Sequence, residues 1–256
     1  MTAPSLRRRT GRTAARVGGA GRIAEEIGAA IVAGTYPPHE LMPGEIEFGR
    51  RFGASRTVVR EAFKLLSAKG LIASRKRAGT RALPREDWHM LDADVLAWRL
   101  RNRRDEPKFV FDLLQARAVI EPAAAAMAAR GRTPEALQTI EEAFADMERT
   151  AHDPALFAEP DIRFHKAILA ATGNDFVAAF GTLIEAALGM FVRIASRHAG
   201  APGPSVPLHR SILAAIRRRD AEGAHAAMLA LLDRTSRNVE QNVAARPRRK
   251  ARPRRS

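Results

Sequence analysis

Asp161 and His165 stand four residues apart in the run Asp161-Ile162-Arg163-Phe164-His165. On a helix that spacing puts a carboxylate and an imidazole on one face, where both can reach one metal ion or one polar ligand. His209, in Leu208-His209-Arg210-Ser211-Ile212-Leu213, is a further imidazole that joins them if the fold brings its helix alongside. An exposed salt bridge or a helix cap is the commoner use of such a pair, and spacing alone leaves both uses open. A second set has a different chemistry. Arg56, Thr57, Arg60 and Lys64 fall on one side of a helix whose other side carries Val59, Ala62, Phe63 and Leu66. Arginine can hold guanine bidentately, and threonine can meet a thymine methyl group.

These residues need elements to position them. Ile23, Ile27, Ala30 and Ile31 have helical spacing within residues 22–33, and Gly34-Thr35-Tyr36-Pro37-Pro38 stops that helix. A short second helix begins near Met42-Pro43-Gly44-Glu45, with Ile46, Phe48, Gly49 and Phe52 expected on its inward side. Ser55 is a good N-cap for the third helix. Residues 71–74 and 79–83 read as two strands joined by the basic tip Arg75-Lys76-Arg77. Three helices and a hairpin make a winged helix-turn-helix, which lays one helix in the major groove while the hairpin touches the backbone, with Thr80 counted among the contacts.

Beyond Pro84 the pattern becomes alanine- and leucine-rich and helical, with no strand signal. Trp88, Leu91, Val95 and Trp98 suggest a connecting helix with Asp92 able to cap its start. Further helices are expected near 107–130, 133–150, 154–172, 175–198, 205–219 and 221–243, separated by Pro107, Thr133-Pro134, Asp153-Pro154, Gly173-Asn174 and the Gly/Pro run 200–204. The fold class is therefore mainly α: a winged helix-turn-helix over 22–84 and an all-α bundle over 85–244, able to enclose a ligand among its helices. Residues 1–21 and 245–256 are expected to be disordered tails.

The net charge of +15 at first suggests nucleic acid, but residues 1–22 carry six arginines and residues 246–256 seven basic residues, with no acid in either. Most of the basicity thus lies in the tails, which could add sequence-independent phosphate contacts or be merely solvated. The DNA reading must rest on geometry and named side chains instead. There is no cysteine, no apolar run long enough to span a bilayer, and no apolar stretch behind the N-terminal arginines. A cytoplasmic protein is expected. The chain also lacks a nucleophile elbow, a phosphate-binding glycine loop and an HExxH pair, which argues against an enzyme, including one built on an Asp/His metal centre.

Residues 22–83 resemble the winged-helix domain of GntR-family bacterial transcription regulators. The likeness is carried by Gly34, Pro38, Pro43, Glu45, Phe52, Ser55-Arg56, Val59-Arg60-Glu61-Ala62, Leu66, Gly70-Leu71-Ile72 and Gly79-Thr80. It implies operator contacts from Arg56, Arg60 and the wing tip. His39 stands where that family usually has Gly, and Gly44 where it usually has Ser. Residues 87–243 resemble the FCD effector domain of its FadR subfamily, through Gln115-Ala116-Arg117, Glu121-Pro122, Asp161 to His165, Gly173-Asn174, His209 to Ile216, Asp220 and Ala224.

That resemblance implies an Asp and three His around a divalent metal, zinc or nickel, at the floor of a ligand cavity. By position the Asp is Asp161 and two of the histidines are His165 and His209, while the third falls on Leu231. An incomplete set implies a metal held weakly or only with effector bound. Arg117 matches an arginine that faces the cavity and would suit a carboxylate, although a salt bridge to Glu121 on the next turn is an equal reading. The run Trp88 to Trp98, with the incomplete histidine set, is similar to the regulators of galactonate catabolism within the subfamily. It implies a sugar acid as effector, a homodimer as the working form, and a repressor released from a palindromic operator. A regulator answering another small carboxylate or a metal ion, and a sequence-independent nucleic-acid binder, are the alternatives.

Overall fold

The computed structural model describes residues 19–75, 78–102, 106–195 and 205–244. Residues 1–18 and 245–256 of the expected tails, and the wing-tip residues Lys76 and Arg77, lie outside them, whereas residues 19–21, expected as tail, are helical. The chain divides into two compact units between Met90 and Leu91.

In the first unit α1 (Gly19–Val32) begins three residues before Arg22, and is followed by α2 (Glu45–Phe52) and α3 (Arg56–Ala68). Ile23, Ile27 and Ile31 of α1 are buried, as are Phe48 of α2 and Val59, Phe63 and Leu66 of α3, and both α1 and α2 pack on α3. Phe48 packs edge-on to Phe63 at 5.8 Å and stacks with Phe52 at 5.9 Å. Ile46, expected inward, is 59% exposed. The reason is geometric: two residues apart on a helix means about 200° of rotation, so Ile46 and Phe48 cannot share a face.

The turn between α2 and α3 is built on Gly53, whose φ of 61° closes α2 in the left-handed region. Ser55 then caps α3, its hydroxyl accepting from the Val58 amide. Gly44 stands at the N-cap of α2 and supplies no side-chain bond there. His39 has a φ of 67°, a conformation suited to the glycine it replaces. Strands β1 (Ile72–Arg75) and β2 (Gly79–Ala82) pair antiparallel, with Ser74 opposite Thr80 and Arg75 opposite Gly79.

The connecting helix expected from Trp88 onward is shorter than its periodicity suggested and lies wholly in the second unit. A 3-10 turn (Arg85–Asp87) ends the first unit's regular structure, and Asp92 caps α4 (Ala93–Arg101) by accepting from the amides of Asp94 and Val95. Val95 and Trp98 are buried, but Trp88 and Leu91 come before the helix and Leu91 is 49% exposed. Then follow α5 (Glu106–Gly131), α6 (Pro134–Thr150) and α7 (Pro154–Ala170). The single helix expected over 175–198 is two, α8 (Asp175–Ala179) and α9 (Gly181–Ala195), with Phe180 between them and a glycine, a poor helix former, opening the second.

The unit closes with α10 (Val206–Arg217) and α11 (Ala221–Ala244). Helices α5 and α11 pack along each other, α6 lies on α7, and α10 fits against α6 and α11. Phe144, Met147, Phe164, Ile168, Ile212, Ile216, Met228 and Leu231 form their shared core.

Candidate functional site

The outer face of α3 carries the expected set: Arg56, Thr57, Arg60 and Lys64 are all exposed, and Val59, Ala62, Phe63 and Leu66 are buried behind them. Two acids sit among these cations. Lys64 donates to Glu61 on its own helix at 2.9 Å. Glu45, from the start of α2, accepts from both Arg56 and Arg60, and its hydrogen bonds to Arg60 and then Arg56 hold its carboxyl below the ordinary carboxylate range.

On the wing, Arg75 is exposed, but Thr80 is 8% exposed and its hydroxyl lies 2.8 Å from that of Ser74. The Thr80 side chain therefore ties the hairpin together and does not present itself to a phosphate. Its neighbour Arg81 takes the outward position beside Arg75, since successive strand residues alternate faces, and donates to the His39 carbonyl at 2.5 Å. The sequence expectation named Thr80 and not Arg81, although the alternation of the two along the strand was the signal for which of them faces outward.

The second unit brings together residues from three helices: Arg117 and Glu121 of α5, Asp161 and His165 of α7, and His209 of α10. Asp161, His165 and His209 each offer an atom within 4.8 Å of the others. His165 Nε2 lies 3.4 Å from Asp161 Oδ1, His209 Nε2 lies 3.0 Å from the same oxygen, and the two Nε2 atoms are 3.4 Å apart. Both rings are 2% exposed. Phe164 meets them edge-on at 5.8 and 5.3 Å, and Phe157 meets His209 at 6.2 Å. The carboxylates each adjoin a helix-internal proline, Pro122 after Glu121 and Pro160 before Asp161, where one backbone hydrogen bond is forfeited.

The far side of each ring is fixed as well. His209 Nδ1 lies 3.0 Å from the Ser205 carbonyl, which can only accept, so a ring proton is assigned to Nδ1 and Nε2 is the nitrogen turned inward. His165 Nδ1 lies 2.5 Å from Glu121 Oε2, an ion-pair contact rather than an aligned hydrogen bond. Glu121 in turn accepts from Arg117 Nε at 2.5 Å, with both side chains 2% exposed.

The result is a buried point on which Asp161 Oδ1 and the two Nε2 atoms converge, where Asp161 Oδ1 has no hydrogen-bond donor aligned on it. Such a point favours a cation. Burial opposes a charge on His165, yet Glu121 and Asp161 on its two sides outweigh burial and raise it to about 9. Burial would likewise raise both carboxyls, but Arg117 and His165 hold Glu121 down to about 2, and His165 and His209 hold Asp161 far below its usual value. Imidazoles whose outer nitrogens face a carbonyl and a carboxylate have the second-shell arrangement of metal ligands, and a bound ion would take the place of the His165 proton. The donor set fits a divalent ion. Leu231 is 3% exposed within the apolar core and adds no ligand atom. Arg117 takes the salt-bridge reading, pairing with Glu121 one turn along.

A winged-helix unit with an arginine-bearing third helix, joined to a helical unit with a buried carboxylate–imidazole cluster, is the make-up of a ligand-responsive DNA-binding regulator. The chain belongs to the GntR family of bacterial regulatory proteins, whose pattern matches residues 20–81, and it carries an FCD domain over residues 112–234. It is similar to the galactonate operon transcriptional repressor of Escherichia coli, 32% identical over 86% of this chain and 96% of that protein. It is also similar to the uncharacterised HTH-type regulator YieP of the same organism, 33% identical over 82% of this chain and 90% of that one. The solved structure of Lar of Listeria monocytogenes shares the fold, with a TM-score of 0.58 at 17% identity, covering 92% of this chain and all of the other. The chain is accordingly a transcription regulator with a DNA-binding and an effector-binding domain, and not an enzyme. Among the described residues no helix is long and apolar enough to cross a membrane.

Proposed function

We propose that this regulator is a repressor of a sugar-acid catabolic operon, released from a palindromic operator when a galactonate-like aldonate occupies the second unit. The observation that carries the reading is the convergence of Asp161, His165 and His209 on one buried point. The likeness to a galactonate operon repressor over nearly that protein's whole length supports the effector class.

Asp161, His165 and His209 would hold a zinc or nickel ion through one oxygen and two nitrogens. Three protein ligands leave coordination positions open, so a bound ion supplies a Lewis-acidic anchor for a carboxylate and a neighbouring hydroxyl. The charges agree. With neutral imidazoles, a divalent ion beside Arg117, Glu121 and Asp161 leaves one surplus positive charge, which a single carboxylate cancels. Arg117 contributes to effector binding through this balance, its fork being turned to Glu121.

Two copies of the chain bind the operator as a homodimer, each laying α3 in the major groove. Arg56 and Arg60 read bases, with Thr57 and Lys64 beside them, and Arg75, Lys76 and Arg77 of the wing take phosphates. For the effector to release DNA it must bind the DNA-free state more tightly than the bound one.

The test uses the full chain and an operator duplex recovered by in vitro selection, in gel shifts with galactonate, gluconate and lactate, each with zinc, nickel or a chelator. One sugar acid is expected to weaken operator binding at least about tenfold, a usual size for allosteric coupling, and Asp161→Asn to abolish that response while effector-free binding persists. Release by no sugar acid in the presence of metal overturns the effector class. Release by metal alone would make the chain a metal-responsive regulator.

A further inference from the structure

Glu45 opens α2, whereas the arginines it touches belong to α3. Its Oε1 accepts from Arg60 Nε at 3.0 Å, and its Oε2 accepts from Arg60 Nη2 at 3.2 Å and from Arg56 Nε at 2.7 Å. The Glu45 side chain is 22% exposed, against 54% for Arg60 and 65% for Arg56. These bonds span 11 and 15 residues, so they form only when the helix-turn-helix is folded.

Which atoms are used decides what remains. A guanidinium carries five N–H donors in a planar fork, with a side edge at Nε and one Nη and an end edge at the two Nη atoms. Arg60 turns its side edge to Glu45. The end edge, Nη1 with the second hydrogen of Nη2, is left for other acceptors. Guanine presents two acceptors, O6 and N7, at the spacing such an edge can hold. Arg56 gives Glu45 only Nε and keeps its end edge likewise. Without the carboxylate, either long side chain could swing to the nearest phosphate, which carries no sequence information.

We propose that Glu45 is a positioning residue for base recognition, holding Arg56 and Arg60 end-on to the groove and away from the phosphates. Fixing the two side chains before DNA arrives removes part of the ordering cost of binding. The same carboxylate repels the phosphate backbone, so it trades general affinity for selectivity. The inference rests on the reading of Arg56 and Arg60 as base contacts.

The experiment measures fluorescence anisotropy of the full chain on the selected operator and on a scrambled duplex of equal length, for wild type, Glu45→Gln, Glu45→Ala, and Arg56→Ala/Arg60→Ala with and without Glu45→Ala. Both single Glu45 variants are expected to lower the operator-to-scrambled affinity ratio about tenfold, the discrimination of roughly one bidentate base contact. Their binding to scrambled DNA rises, because a negative charge near the phosphates is gone. In the arginine-free background, Glu45→Ala changes the ratio less than about twofold, since coupled residues lose their effect together. A wild-type ratio in the Glu45 variants, or a parallel loss on both duplexes, overturns the inference and leaves the base contacts standing. An unchanged ratio in the double arginine variant overturns the base-contact reading, and this inference with it.

Discussion

Replacing Glu121 by Leu removes the carboxylate between Arg117 and His165 while roughly conserving volume. Arg117 is 1% exposed and Glu121 also 1%, so the guanidinium loses the carboxylate bonded to its Nε where water cannot substitute. Breaking one partner out of a buried ion pair costs about 3–5 kcal/mol. The second unit spans Leu91 onward, and for a unit of this size about 2–4 °C of melting temperature is lost per kcal/mol, so a drop of about 6–20 °C is expected. The double variant Arg117→Met/Glu121→Leu strands no charge at that pair, and apolar replacement of a buried pair is often neutral or stabilising. It should recover more than half of the loss. Differential scanning calorimetry of the full chain, following the transition of the helical unit, measures both. A single-variant cost under about 1 kcal/mol would show the pair to be solvated, well short of the penalty of a stranded buried charge. A double variant no better than the single would place the cost in lost packing or in the His165 contact, and the ion-pair argument would fail.

Two further outcomes follow from the first unit. Arg75→Ala should weaken operator and scrambled DNA alike and reduce the salt slope of log K by about 1, as removal of one phosphate contact does; a change confined to the operator would mark Arg75 as a base contact instead. Gly70→Ala should destabilise this unit by about 2 kcal/mol or more in urea unfolding, because Gly70 has a φ of 73° and an added Cβ would lie 2.1 Å from the Asp87 carbonyl oxygen. A loss of a few tenths of a kcal/mol would mean that the Asp87 segment moves aside freely.

The features legible in the sequence are those set by short-range rules. Ser55 caps α3 and Asp92 caps α4 as their side chains allow, and the apolar face of α3 follows from its periodicity. Periodicity misled where it ran on past a helix end. Trp88 and Leu91 keep the spacing of Val95 and Trp98, yet the Asp92 cap starts α4 only after both of them. Thr80 reads as a wing contact by its place near a basic tip, but the pleat turns it inward and gives the outer position to Arg81. The carboxylate–imidazole pair on α7 was visible as an i,i+4 motif. That His209 completes it depends on α10 lying within reach of α7, 44 residues away in sequence. The reach of Glu45 to two arginines across a turn is of the same kind, a consequence of packing that no local pattern encodes.

The place of Leu231 gives the second unit its chemical character. A third imidazole there would bring the protein ligands to four and suit a closed, permanent metal site. Leu231 instead belongs to the apolar cluster with Phe164, Ile212 and Leu213, so the protein would offer a bound ion one carboxylate oxygen and two imidazole nitrogens, and oxygen from elsewhere would have to complete its shell. A small hydroxy acid has both the oxygens and the negative charge that such a centre lacks. On the proposed function, ion and acid would each make a better site for the other, and by linkage the gain in affinity would be equal in both directions. A cluster that needs its effector to be complete is better suited to sensing than one that is complete without it, which is the sense in which the missing imidazole supports the regulatory reading.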